Sequence, residues 1–571
     1  VGARGDRATA RTRSLLWPGA WATALAVLLL GGALGPGYVL SYDMVWVPDL
    51  RLGADALGLG TALPRAVPSD AVVAVLDEVL GGMLLQKLVL LLPLVAAGTG
   101  AAALVGPGVV ARLVAVSVAV WNPFVVERLA IGHWPVLVGY GVLPWVLLAG
   151  TAWRRSGVMP ARLPVLLLLG SLSASTGLVT AFAACVSAAR RRRDRWLALA
   201  GLVVLANLPW VVSGLLHAGS ATSSAAGADV FAPSGEGMLP APLTFLSLGG
   251  IWNAAVVPDS RTGPLAVAMA LVLVALAVLG VRRGWSKVPQ GPRRALVWCW
   301  AVGLGLTLAA WALPGVTGWL ASTVPGAGVL RDGSRLLALA APLTAVLAGR
   351  GAEALVRLLP DALSRAMIAL ACVLVPVALM PDPALGLSGR VSAVDYPASY
   401  DALVDELRAL PEGTVAVLPF QSYRAPAWNN DARPVLAPLG RYLPGRVVVE
   451  DRLVVDGRAL AGEDPSAADV RRALAAPDPG QRAARLREAG VRYVVVERLP
   501  GVEVPEVAGE EVGELDDLTL VDVGPGRPPS GVPAAWTVVM ALAWTGWCGL
   551  PVLALFLAVW RRRRAGRIVA Q

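Results

Sequence analysis

Long apolar runs recur along nearly the whole of this chain, and clusters of arginine sit at their ends. That pattern limits the fold more than any other feature. A helix needs about 20 apolar residues to cross a bilayer. Runs of that kind extend from Leu15 to Leu40 and near 83–104, 109–126, 134–153, 196–217, 264–282, 294–313, 335–357, 365–381 and 533–560. The stretch 162–189 is long for one span and short for two. Its Ser-, Thr- and Gly-rich centre, Ser171 to Gly177, points to a hairpin of two short helices. With that hairpin the count comes to about 12 spans. Arg154-Arg155, Arg190 to Arg193, Arg282-Arg283, Arg293-Arg294 and Arg561 to Arg564 then all fall on one side. Positive charge is retained in the cytoplasm, so both termini are expected there, and the first run is read as an uncleaved span rather than a signal peptide.

Composition agrees. Of the 571 residues 56% are hydrophobic and only 15% charged, against about 25% charged in a soluble domain. A wholly soluble enzyme, a disordered chain and a disulfide scaffold are excluded. The net charge of +10 is accounted for by the membrane-flanking clusters, and no basic stripe interleaved with aromatics suggests a nucleic-acid partner. The four cysteines all lie in apolar segments without a CxxC pair, and the two histidines are too few for a histidine metal cluster.

The expected fold is therefore a polytopic α-helical membrane protein with an extracytoplasmic α/β domain. Residues 1–381 form a transmembrane domain of about 11 helices with outer loops at 41–82 and 218–263, residues 382–531 the α/β domain, and residues 532–571 a last span and basic cytoplasmic tail. Strand-like runs occur at Thr414–Pro419, Arg446–Val455 and Val491–Glu497, with a helical pattern from Ala467 to Ala489. In the first outer loop, Asp70 to Leu80 has the pattern of an amphipathic helix lying on the membrane surface.

No Walker A, GxSxG or HExxH motif is present, and the spans are almost free of ionisable residues, Lys87 excepted. Polar chemistry gathers instead in the outward loops. The first opens with SYDMVWVPDLR. Asp43 there can act as a general base toward an acceptor hydroxyl, with Asp49 as a second carboxylate and Tyr42 and Trp46 as sugar-stacking rings. Alternatively, Asp43 ends a helix and Trp46 belongs to the interfacial aromatic belt. The next loop, WNPFVVERLAIGHW, brings Glu127, Arg128 and His133. Either Arg128 and His133 meet a lipid-linked phosphate, or Glu127 and Arg128 pair with each other. GVLRDGSRLL places Arg331, Asp332 and Arg335 at the outer interface, where arginines are unusual and anion recognition explains them. In PFQSYRAPAWNNDARP, Tyr423, Arg424 and Trp428 follow a buried-looking strand, where α/β domains bind ligands, or else form a loop docked on the membrane part.

A first span followed by a long outer loop with an early acid, about a dozen spans and an outer α/β domain resemble the GT-C membrane glycosyltransferases. That resemblance implies sugar transfer from a polyprenyl-phosphate donor to a cell-envelope glycan or glycolipid, in a bacterial cytoplasmic membrane. Asp43 would take the family's catalytic acidic position. The paired acids often found in that loop are replaced here by Asp43 and Asp49 separated by five residues, which leaves a divalent cation, Mg or Mn, an open question. The LRDGSR stretch and the VRYVVVE strand are also similar to YfhO-like bacterial membrane proteins. Two other readings compete: a transporter or flippase of lipid-linked envelope precursors, and a non-catalytic envelope-assembly scaffold.

Overall fold

The computed structural model describes residues 15–569 apart from 62, 191–192, 220–225, 325, 456 and 529–530. Arg191 and Arg192 of the second arginine cluster, and the basic residues through Arg13, lie outside them. Among the described residues nine helices are long and apolar enough to cross a membrane, or ten if the pair Gly333–Leu339 and Ala341–Arg357, bent by 48°, is one span. The stretch 162–189 folds as two short helices, Arg162–Gly170 and Ala174–Ala188. Ser173 accepts a hydrogen bond from the Thr176 amide and so caps the second of them.

Residues 393–522 carry a mixed sheet of five strands: β1 Thr414–Leu418, β2 Val447–Val448, β3 Val491–Glu497, β4 Glu510–Leu515 and β5 Leu518–Asp522. Their order is β4-β5-β3-β1-β2, with β3-β1 and β1-β2 parallel and the rest antiparallel. Side chains alternate across a strand, and both faces of β1 are covered. Val415 and Val417 pack with Tyr400, Leu403 and Leu520, while Ala416 and Leu418 pack with Val470, Leu486 and Val494.

Two expectations for this region change, and one hairpin is new. The run Arg446–Val455 is not one strand: after β2 it turns away, and Leu453–Val455 pairs with Arg458–Leu460 instead. The pattern Ala467–Ala489 is two helices, Pro465–Leu474 and Pro479–Glu488. Asp478 accepts from the Gln481 amide and Pro479 opens the second helix, so a cap and a proline stop the first. The β4-β5 hairpin went unread because β4, EEVGEL, buries none of its residues fully.

Helix Ser69–Leu80 buries Ala71, Val73 and Ala74, and exposes Val75 (53%) and Val79 (79%). Val75 and Val79 thus lie on its exposed side, together with Glu78.

Candidate active site

The site begins with a close approach of two loops. Asn122 caps helix Pro123–Ala130, which ends at Ile131. Gly132 then takes a φ of +83°, and a side chain there would lie 2.3 Å from the Met44 amide nitrogen and 2.4 Å from the Ser41 carbonyl oxygen. Only glycine admits that contact. The first outer loop is stitched to this corner by Ser41 Oγ donating to the Ala130 carbonyl (2.6 Å) and the Asp43 amide donating to that of Ile131 (3.1 Å). Tyr42, a non-glycine residue at φ +47°, is held by backbone bonds to Pro434 and Leu436 of the α/β region. Asp43 and His133 are thereby set face to face.

His133 Nε2 lies 3.0 Å from Asp43 Oδ2, and Nδ1 lies 3.2 Å from Arg128 Nη1. A guanidinium can only donate and an ionised carboxylate can only accept. The partners therefore assign a neutral imidazole that carries its proton on Nε2 and donates it to Asp43. Arg335 Nη2, 3.4 Å from that nitrogen, contributes charge rather than a bond. Arg128 is itself fixed by Asp332 through both terminal nitrogens (2.9 and 3.3 Å) and by Ser334; Asp332 also accepts from Arg335 Nε (2.9 Å) and Ser334 Oγ (2.6 Å). Arg128 and Asp332 are 1% and 4% exposed, so this pair is out of water. Tyr423, from the α/β region, completes the group by donating its hydroxyl to Asp43.

Protein crowds Asp43 on most sides, yet 42% of its side chain stays open to solvent. Crowding alone would raise its pKa. The hydrogen bonds from His133 and Tyr423 and the charge of Arg335 outweigh it and hold the carboxyl at about 2. Burial and then the charge of Arg335 push His133 down to about 4, against the pull of Asp43. Tyr423 is raised by burial and by Asp43 beside it, so it remains a donor. Asp332 lies far below the usual carboxylate range, since Arg128 and Arg335 overcome its desolvation. Burial, then Arg65, lowers Arg331 to about 10, still protonated at neutral pH.

These values fix a pH dependence. Asp43 contributes stability that is complete above its ordinary 3.8 and lost as pH falls toward 2. His133 works in the same direction at higher pH, because the unfolded imidazole protonates first: stability falls between its ordinary 6.5 and about 4, by roughly 2–3 kcal/mol. Thermal melting in detergent should therefore drop between pH 7 and about pH 4.5, and the drop should shrink in His133→Asn. An equal slope in that variant would remove His133 as the cause.

The remaining candidate residues lie elsewhere or do other work. Asp49 is exposed near Asp77 and makes no hydrogen bond or ion pair with Asp43, His133 or the arginines among the described residues. Trp46 does not offer a stacking face: it is 3% exposed, donates to the Gly82 carbonyl (2.8 Å) and packs edge-on against Trp134. Glu127 does not pair with Arg128. It accepts instead from the Ile251 amide (3.2 Å). Arg424 is 1% exposed, locked to Glu497 and to the Pro419 carbonyl, with Tyr400 also donating to Glu497 (2.9 Å). Arg424→Ala should therefore lower α/β stability by about 3–5 kcal/mol, the cost of leaving a buried partner uncompensated, seen as faster limited proteolysis after residue 393. Trp428 packs against Tyr396 and Tyr400 in the core. Tyr42 leans edge-on against Tyr423 and carries Arg433 over its ring at 5.4 Å. Arg331 sits over Phe231, 4.4 Å from the ring centroid.

Two participants escaped the sequence reading. Ser334 looked like a spacer within LRDGSR, although a hydroxyl between two arginines was the available signal. Arg65 gave none, being one charged residue in a long loop. The residues present do not make a metal cage: among the described residues no three His, Cys, Asp or Glu side chains converge to hold an ion, so no step below runs through a metal.

No family model matches the sequence, and no curated protein matches it. Solved structures do. The arabinofuranosyltransferase AftD from Mycobacteria superposes over 90% of this chain with a TM-score of 0.53 at 18% identity. A mutant form of AftD gives 0.51 over the same share. This chain spans about two fifths of the AftD length, 40% and 42%. A looser likeness, TM-score 0.37 at 13% identity, covers 85% of this chain and 69% of the oligosaccharyltransferase AglB from Archaeoglobus fulgidus, solved with an inhibitory peptide and a dolichol-phosphate. The chain is thus a polytopic membrane protein with the GT-C fold of membrane glycosyltransferases.

Proposed function

We propose that this protein is a glycosyltransferase that moves a sugar from a polyprenyl-phosphate donor to an envelope glycan or glycolipid on the outer face of a bacterial cytoplasmic membrane. In this reading both termini are cytoplasmic, the arginine clusters mark the inner side and residues 382–531 lie outside. One observation carries it: Asp43 is an ionised, partly open carboxylate, oriented by a neutral histidine, with Arg335 beside that histidine and Arg331 close enough to Arg335 to feel its charge.

The acceptor hydroxyl would hydrogen-bond to Asp43 and give up its proton to it as its oxygen attacks the anomeric carbon. The bond from that carbon to the phosphate oxygen breaks, and the electron pair leaves with the polyprenyl phosphate. Arg331 and the exposed part of Arg335 (28% of its side chain) would offset the charge growing on the phosphate, where partial exclusion of water strengthens the contact. Arg128 and His133 would not bind the donor. They hold Asp43 ionised and aimed. Because Asp43 titrates near 2 and His133 near 4, neither should give transfer an acid limb between about pH 5 and 8.

The test is transfer of labelled sugar from polyprenyl-phosphate donors in proteoliposomes, run beside an assay for movement of the intact donor across the bilayer. Sugar transfer is expected. Donor translocation without transfer would replace this reading by a flippase.

A further inference from the structure

The α/β region reaches the Asp43 group and the first outer loop. It occupies the two groups that substrates would need, since Tyr423 donates to Asp43 and Glu463 binds Arg65 at 2.6 Å. Arg65 belongs to the first outer loop. Its side chain is 55% exposed, whereas that of Glu463 is 11% exposed. Around this ion pair the loop is fastened to the α/β region at other points: Thr61 Oγ1 lies 3.1 Å from Ser466 Oγ, and Arg446 donates to both hydroxyls (3.3 and 2.9 Å). Glu463 is positioned from behind, because Asp451 accepts from its amide and from that of Asp464. The clasp lies on the same side as the Asp43 group, since Tyr423, which donates to Asp43, comes from the same α/β region as Glu463, and the charge of Arg65 reaches Arg331 and Tyr423.

Resting on the proposed function, we propose that Arg65 is a further ligand of the donor phosphate, held in reserve by Glu463, so that donor binding releases the clasp between the first loop and the α/β region. A phosphate offers a guanidinium the same paired acceptor oxygens as a carboxylate with more charge. Entry of the donor exchanges one partner for the other, and the carboxylate of Glu463 is returned to water at the rim.

The exchange makes Glu463 a competitor of the donor, which sets the sign of the test. Full-length protein in phosphatidylcholine nanodiscs would be titrated with a short-chain polyprenyl phosphate, with the matching polyprenol and with phosphatidylglycerol. Glu463→Gln should bind the polyprenyl phosphate about fivefold more tightly, the scale of a partly exposed ion pair. Arg65→Ala should bind it about tenfold or more weakly, and adding Glu463→Gln to Arg65→Ala should change nothing further. Arg65→Gln repeats the measurement should the alanine variant melt early. Weaker binding by Glu463→Gln, or an effect of Glu463 that survives the loss of Arg65, would overturn the proposal while leaving the glycosyltransferase reading intact. A wild-type protein that does not distinguish polyprenyl phosphate from polyprenol would overturn both. Equal competition by phosphatidylglycerol would assign Arg65 to bulk lipid headgroups and overturn the exchange.

Discussion

Asp43→Asn is expected to lower sugar transfer by about a hundredfold to ten-thousandfold, the range that a positioned general base supplies, with no large change in melting. The reason lies in what the substitution keeps. An asparagine carbonyl can keep the bond from His133 while its NH2 donates to the Tyr423 hydroxyl, so the loop holding Ser41 and Tyr42 stays fastened, but the amide cannot take a proton. Wild type and variant would be compared in membranes at matched expression with labelled polyprenyl-phosphate donors. Equal transfer by both would acquit Asp43. Asp49 would be a poor substitute, since it is exposed and makes no hydrogen bond or ion pair with His133 or Tyr423 among the described residues.

The second large effect concerns the buried pair behind His133. Arg128→Met leaves Asp332 charged and buried with Arg335 as its remaining cation. Breaking such a pair from one side costs about 3–5 kcal/mol, so the variant should melt well below wild type in detergent. The informative protein is the double variant Arg128→Met, Asp332→Leu. Replacing both charges by apolar groups of similar size is often neutral or stabilising, so melting should largely return. Transfer should not, because Nδ1 of His133 has lost its donor and the imidazole is free to take the other tautomer, turning a lone pair rather than a proton toward Asp43. Recovery of both properties would reduce Arg128 to a structural role.

How far the sequence could be read follows from the range of the interactions. Asp43, His133, Arg128, Asp332 and Arg335 each stood out locally, as charged or polar residues where apolar ones or the opposite membrane side were expected. Their grouping was not legible, since the bonds that join them cross 90, 204 and 380 residues. Trp46 was offered as a stacking ring because a tryptophan beside polar residues serves equally as a platform for sugars or as core, and only its burial at 3% separates the two. Glu127 misled for a similar reason: adjacent residues on a helix point about 100° apart, so the pairing with Arg128 suggested by adjacency was poor geometry, and the Ile251 amide lies far along the chain. Apolar run length and arginine placement marked the membrane helices, whereas the sheet's outer hairpin, polar and half exposed, carried no comparable pattern.

The long reach of the Arg128–Asp332 pair has a consequence for biosynthesis. A chain emerging N-terminus first delivers Arg128 to the membrane 204 residues before its partner. At about 5–20 residues per second, that guanidinium waits roughly 10–40 s at a helix end without the carboxylate that neutralises it. For that interval the young protein must rely on water, on lipid phosphates or on an insertion chaperone, and the contacts behind His133 can form only once Asp332 has been made. Tyr423 arrives later still, so the group around Asp43 is complete only after the α/β region has been made.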